Sequence, residues 1–513
     1  MLEWLVVLCI VILVAVIWPA SKYFGIQGEP YALLQRLGIS RRQTKERVSE
    51  MCVSDREVPV DCANAQTSDV EGGNKVPAVA LICKPSALAN YLLKHCRTFS
   101  NFTACTGWTW RASAFLQTVY GACWPYKSRV HFVRDYLQLS DDGLVALDWA
   151  VSVAGASYQK RRRTSSNSTS PILLIIPNSF GKITRNVLKL CEVALSHGYL
   201  PVVFNRRSHN ATPLSTVKLQ QFGDPGHLRE AVRYVRYRQP VSRLYAVSES
   251  TGSGLLLSYL GECGSSSYVT AAACLSPVFR CQSWFENGPI WPLHWALVTY
   301  QRICLSRYRT VLGETVHTDT LFSSCSLRGL EEVLFCQPPG PKGALDLATG
   351  TSSSSGGAWE AYWERNEPLR DVDEVAIPVL SVCAQDDPIR GDPQSTLPLE
   401  LFESNPHFFL LLTTRGGHCG FNTQEGSAFS GGVTGGGTPG TSWSHQALLE
   451  FFRATTDFIA AEERAKQAAR RRGLGGSSQG KVFRHRSVST CKRLPACSHN
   501  IHTIYNWQRS YTR

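Results

Sequence analysis

The sequence predicts an α/β fold with a mostly parallel central sheet flanked by helices, and three observations carry that reading. Short, continuously apolar runs recur along the 513 residues, separated by helix-length stretches, which is how strands buried on both faces read. The stretches between them alternate apolar and polar residues at helical spacing. One run, Leu244 to Val247, passes through a turn of small residues directly into an apolar helix ending near Gly261.

Taken in order, residues 1–21 are an apolar segment and residues 22–110 an irregular region packed on the core, with a short helical stretch at Pro85–His95. The main domain spans 111–460. Its strands are Leu144–Val151, Ile172–Ile176, Tyr199–Phe204, Leu244–Val247, Val269–Cys274, Val379–Cys383 and Phe408–Leu412. Helices fit at Thr184–Ser196, Pro225–Arg236 and from Ser444 onward. The basic, Ser-rich Lys160–Thr169 is a solvated loop. About 276–370 form an inserted helical cap, and its Trp284, Trp291 and Trp295 are candidates for an apolar acyl pocket, although ordinary packing explains any single one of them better. Pro338–Gly357 and Gly426–Gly440 are low-complexity inserts, and 461–513 is a basic disordered tail.

Charge is concentrated rather than spread. Of 53 Lys and Arg, 12 lie from Arg464 to Arg513 with no Asp or Glu among them, leaving 41 basic against 40 acidic residues elsewhere. A near-neutral body without a binding-module signature argues against nucleic acid as a partner. The tail holds Arg484-His-Arg-Ser-Val-Ser489, a spacing suited to Arg-directed phosphorylation and thus to a protein partner; attraction to anionic lipid explains the same charge equally well.

The run Leu5 to Trp18 is the membrane-grade segment. Glu3 and the lack of a basic n-region disfavour a cleaved signal peptide. Lys22, Arg36, Arg41 and Arg42 follow the run, so the positive-inside rule places the body in the cytosol. The expectation is an anchor at the endoplasmic reticulum membrane, with secretion after cleavage as the alternative. Three sequons, at Asn101, Asn167 and Asn210, and the cysteines Cys52, Cys62, Cys83, Cys96, Cys105 and Cys123 leave a lumenal, disulfide-bonded body open. No metal, nucleotide or flavin signature is present, so no cofactor is expected.

The chemistry centres on Ser250. A strand, a tight turn and a helix lift a serine hydroxyl above the sheet in a nucleophile elbow. The usual Gly-x-Ser-x-Gly here reads Ser248-Glu-Ser250-Thr-Gly252. The literal match Gly476-Ser-Ser478-Gln-Gly480 has no preceding strand and is discarded. Asp387 and His418 follow the last two apolar runs, completing the chain order Ser, Asp, His. Asp387 is preferred to Asp386 because it precedes Pro388 at the strand exit. Gly417 and Gly420 let the backbone around His418 turn. Oxyanion donors are expected from the backbone N–H groups of Thr251 and Ser179, since Pro177 has none.

Phe115-Leu-Gln-Thr118, Leu139-Ser-Asp-Asp-Gly143, Asp148-Trp149, Asn205-Arg-Arg207, Asp224, Ala384-Gln-Asp-Asp-Pro388 and Gly416-Gly-His-Cys-Gly-Phe421 stand in one order. In these motifs residues 80–460 resemble the YheT-type branch of the α/β-hydrolases. The resemblance implies a membrane-anchored esterase or lipase acting on acyl lipids through Ser250, Asp387 and His418. Three positions depart from the branch: Ser248 replaces the elbow glycine, Pro177-Asn178 replaces a His-Gly pair, and Ser208 replaces the glycine after Asn-x-Arg. The first two adjoin the reacting centre, so a regulatory scaffold with weak or no turnover is the alternative to a hydrolase.

Overall fold

A computed structural model describes residues 78–102, 113–152, 169–337, 355–421 and 442–473. The apolar segment, nearly all of the basic loop, most of both low-complexity inserts and the tail beyond 473 lie outside them. Among the described residues nine strands build one sheet: β1 (Val79–Ile82), β2 (Val130–Gln138), β3 (Leu144–Ser152), β4 (Ile172–Ile176), β5 (Leu200–Asn205), β6 (Leu244–Glu249), β7 (Val269–Leu275), β8 (Val379–Ala384) and β9 (Phe408–Thr413). Their order is β1-β9-β8-β7-β6-β4-β5-β3-β2. Pairings from β5 through β9 are parallel, and β1, β2 and β3 join antiparallel.

Strand periodicity splits the core into two layers. Leu173 and Ile175 of β4 face Val187, Leu190, Phe451 and Phe452 from the helices α1 (Arg185–Ser196) and α2 (Trp443–Gly473). Ile172, Leu174 and Ile176 face Leu228, Val232, Leu256 and Leu260 of α3 (Gly226–Arg238) and α4 (Gly252–Cys263). Full burial stabilises each such aliphatic side chain by roughly 1.5–3 kcal/mol.

Three elements differ from the sequence reading. Part of the region expected to be irregular, Val79–Ile82, is an edge strand whose Ala80 registers with Leu412. β2 was not foreseen, because half-exposed residues such as His131 and Arg134 interrupt its apolar pattern. The last helix continues to Gly473, past the boundary expected at 460. Good helix formers fill that extension, and Lys466 pairs with Glu462 one turn earlier at 2.8 Å.

Among the described residues, six α-helices lie between β7 and β8: α5 (Cys281–Asn287), α6 (Trp291–Ser306), α7 (Arg309–Leu312), α8 (Thr318–Ser323), α9 (Leu327–Phe335) and α10 (Ser355–Asn366). They share a third apolar cluster, including Trp284, Leu330, Trp359 and Trp363, with Phe222 and Ile389 of the main body; Phe115 and Phe180 pack against it. Trp284 is buried and its Nε1 donates to Ile389 O at 2.8 Å. Trp291 and Trp295 do not join it. They are 69% and 47% exposed, so neither the pocket nor ordinary packing of cap onto core, the two readings weighed for these indoles, describes them.

Candidate active site

Ser250 stands at the end of β6 with φ 54°, a left-handed backbone that few serines adopt. Such strain persists only where neighbours over-determine it. Here Ser250 N donates to Leu275 O of β7 at 2.8 Å, and Ser253 N donates to Ser250 O at 3.1 Å. Gly252 completes the turn: a Cβ there would lie 2.1 Å from Pro177 O. Close approach of β4 therefore demands glycine at this position.

The serine at 248 fits the elbow. Its side chain is fully buried and its Oγ lies 2.9 Å from Ser253 Oγ, so the extra hydroxyl is hydrogen-bonded. Ser208, the departure further along, keeps a glycine-like φ of 63°.

Ser250, Asp387 and His418, far apart in the chain, come together. His418 Nε2 is 2.7 Å from Ser250 Oγ, and His418 Nδ1 is 2.8 Å from Asp387 Oδ2. Asp387 is buried, and burial alone would raise its pKa. The adjoining His418 and Arg390 outweigh that and hold the carboxyl below the usual range. Asp387 Oδ1 also accepts from Ile389 N at 2.9 Å and Arg390 N at 3.1 Å, which fixes the carboxylate plane.

The histidine loop is held from three sides. Asp386 Oδ1 accepts from Gly416 N and Gly417 N, both at 2.9 Å, so Asp386 has a structural part rather than a solvated one. Thr118 Oγ1 accepts from His418 N at 2.9 Å. Asn186 Nδ2 donates to Cys419 O at 2.6 Å, and Ser276 Oγ accepts from Cys419 N at 2.9 Å.

Glu249 was not singled out from the sequence. It is buried directly before Ser250, and the Thr184 hydroxyl lies within hydrogen-bonding distance of its carboxylate. Burial pushes its pKa up to about 7, against the opposing pull of Thr184 and His418. A carboxyl preceding a candidate nucleophile was visible in the sequence; its burial was not.

The expected oxyanion donors differ in their surroundings. Thr251 is the N-cap of α4, where backbone N–H groups and the helix dipole favour a developing negative charge. Ser179 N is instead directed at Thr251 Oγ1 at 3.0 Å, and Ser179 Oγ donates to the same oxygen at 2.8 Å. The turn lacks the His-Gly backbone, and a side chain occupies the donor.

Other family motifs are structural. Asp148 accepts from Arg134 at 2.6 Å, from Asn205 at 2.8 Å and from Asn210 at 3.2 Å. Arg207 pairs with Asp141 at 2.5 Å and closes the turn before β3. The amide of the Asn210 sequon is thus engaged inside the protein. Cys83, Cys96 and Cys123 carry free thiols, while Cys52, Cys62 and Cys105 lie outside the described residues. No His, Cys, Asp and Glu cluster suited to a metal ion occurs among the described residues, and no helix among them is long and apolar enough to cross a membrane.

Comparison with known proteins gives related sequences. The chain is 49% identical to human protein ABHD15 over 436 residues, 85% of each sequence. It is 27% identical to mouse phospholipase ABHD3 over 350 residues, 66% of this chain and 78% of that one. With the monoacylglycerol lipase of Saccharomyces cerevisiae it shares 24% identity over 311 residues, 58% of this chain and 63% of that one. No family model matches.

Proposed function

Since the chain belongs to the α/β-hydrolase family that includes ABHD15, we propose that it is a serine hydrolase of acyl-lipid esters, with Ser250 as nucleophile, His418 as general base and Asp387 as the group that orients the imidazole. The observation that carries this reading is the 2.7 Å approach of His418 Nε2 to Ser250 Oγ, with Asp387 on the opposite ring nitrogen. A serine hydroxyl becomes nucleophilic when an adjacent base takes its proton.

In the proposed reaction Ser250 Oγ attacks the ester carbonyl while its proton passes to His418 Nε2. Negative charge gathers on the carbonyl oxygen, facing Thr251 N–H. Collapse expels the alcohol, which takes the proton from His418. Water then repeats the sequence and releases the fatty acid, restoring Ser250. The Ser179 N–H joins as second donor when Thr251 Oγ1 turns away from it; loss of one such donor typically costs about 10²–10³ in kcat.

Names of relatives support an acyl-lipid substrate: one is a phospholipase and another a monoacylglycerol lipase. The helices between β7 and β8 act in this reading as a cap, since their apolar cluster reaches Phe180 beside the oxyanion turn and Ile389 beside the acid. A cytosol-facing body on an N-terminal membrane anchor is part of the proposal. The cations that follow Leu5–Trp18 support it, as do the free thiols and the engaged Asn210 amide.

One observation favours a second reading, a regulatory scaffold with little turnover: the contact between Ser179 and Thr251 occupies a donor the reaction needs. A fluorophosphonate probe separates the two. Labelling of the wild type and not of Ser250→Ala supports the hydrolase. Folded wild-type protein that takes up no probe favours the scaffold.

A further inference from the structure

Helix α6 turns one face outward. Ile290, Trp291 and Trp295 are exposed, while Leu293 and Val298 of the same segment are buried against the third cluster. Trp291 and Trp295 stand one turn apart and so lie on one side of the helix. Two solvated indoles beside an isoleucine form an apolar patch of the kind that marks an interaction surface.

The charges around this patch indicate its occupant. Residues 288–313 contain Arg302, Arg307 and Arg309 and no Asp or Glu. Arg309 pairs with Asp319 at 3.1 Å; Arg302 and Arg307 have no acidic partner among the described residues. Between Glu286 and Glu314, α6 itself carries Arg302 and no carboxylate, with Arg307 at its C-terminal cap. Tryptophans and arginines on such a helix match a bilayer interface, where indoles settle at headgroup depth and arginines meet lipid phosphates.

We propose that the outward face of α6 docks on an anionic phospholipid surface. This contact is separate from the N-terminal apolar segment and stands whether or not Ser250 turns over a substrate. The same helices share their apolar cluster with Phe180 and Ile389, so docking would set the bilayer against the covering of the candidate site.

The test uses the full-length chain and tryptophan quenching by phospholipids brominated in their acyl chains. Comparison with the Trp291→Phe/Trp295→Phe variant isolates the two indoles, which are exposed and so replaceable without loss of fold. Vesicles of phosphatidylcholine with about 30% phosphatidylserine should quench the wild type more than the variant. Arg302→Gln/Arg307→Gln should weaken that difference by about fivefold or more, as expected for cations near an anionic surface. Equal quenching of wild type and variant overturns the proposal. So does shielding of the two indoles from aqueous acrylamide before vesicles are added, which would give the face to the chain's own residues or a second copy.

Discussion

Thr184 Oγ1 stands 2.8 Å from each carboxylate oxygen of Glu249, so one hydroxyl is shared across a buried acid beneath the Ser250 turn. The same Thr184 oxygen caps α1 by accepting from Val187 N at 3.2 Å. The acid is therefore tied to the helix whose Asn186 steadies the histidine loop.

This pair predicts a pH dependence. The folded-state pKa of Glu249 is about 7, above the roughly 4.3 of an unfolded glutamate. Its contribution to stability is fully present below the unfolded value and is lost as pH rises through about 7. Glu249→Gln cannot ionise. Relative to wild type it should gain up to about 3 kcal/mol at pH ~8 and little at pH ~4.5. Urea unfolding at both values checks this, and an equal effect at the two would refute it.

The neighbouring aspartates should separate cleanly. Asp387→Asn upsets the His418 tautomer and should lower ester turnover by about 10⁴ with the fold intact. Asp386→Asn keeps an oxygen for Gly416 N and Gly417 N and should leave turnover within about tenfold. Steady-state kinetics on a soluble ester distinguishes them; matching losses would reject the choice of Asp387, and a larger loss at Asp386 would reverse it.

Gly252→Ala drives a methyl into Pro177 O. The main chain must shift, and overpacking of this kind typically costs about 1–3 kcal/mol. Thermal unfolding should register the loss, together with weaker fluorophosphonate labelling because the oxyanion turn moves. An unchanged melting temperature would mean the turn is looser than the structure has it.

The Ser248 and Ser253 hydroxyls should prove coupled. Either alanine substitution alone removes a buried partner and should destabilise by about 1–3 kcal/mol. The double substitution removes both ends and should fall short of the sum by about 1 kcal/mol. Strict additivity in a double-mutant cycle would show that the pair gives no support to the elbow.

What was legible in the sequence follows from where each feature lies. β4, β6, β8 and β9 are buried on both faces, so their apolar runs are unbroken, and the residues just beyond them stood out as Ser250, Asp387 and His418. β2 is an edge strand with polar residues interleaved, and β1 is an apolar run of only four residues, too short to show a strand period. Asp386 was weighed only as a rival acid and Thr118 only as part of a motif; their hold on the histidine loop, and the burial of Glu249, depend on contacts with distant segments that the sequence does not display. The direction taken by Trp291 and Trp295 was equally hidden, since an indole in a helix reads alike whether it packs inward or outward.

The pairing of β1 with β9 also bears on how the chain matures. The first described strand to leave the ribosome has as its neighbour the last one made, so closure of that border waits for nearly the whole domain. Until then the Val-Ala-Leu-Ile strand has no partner, and a chain lacking it would leave the Phe-Phe-Leu-Leu-Leu-Thr edge of β9 as a sticky template for other chains. Slow, long-range closure of this sort is a point of vulnerability during synthesis. Shortening the protein into Val79–Ile82 should therefore reduce soluble yield well before it alters the candidate site.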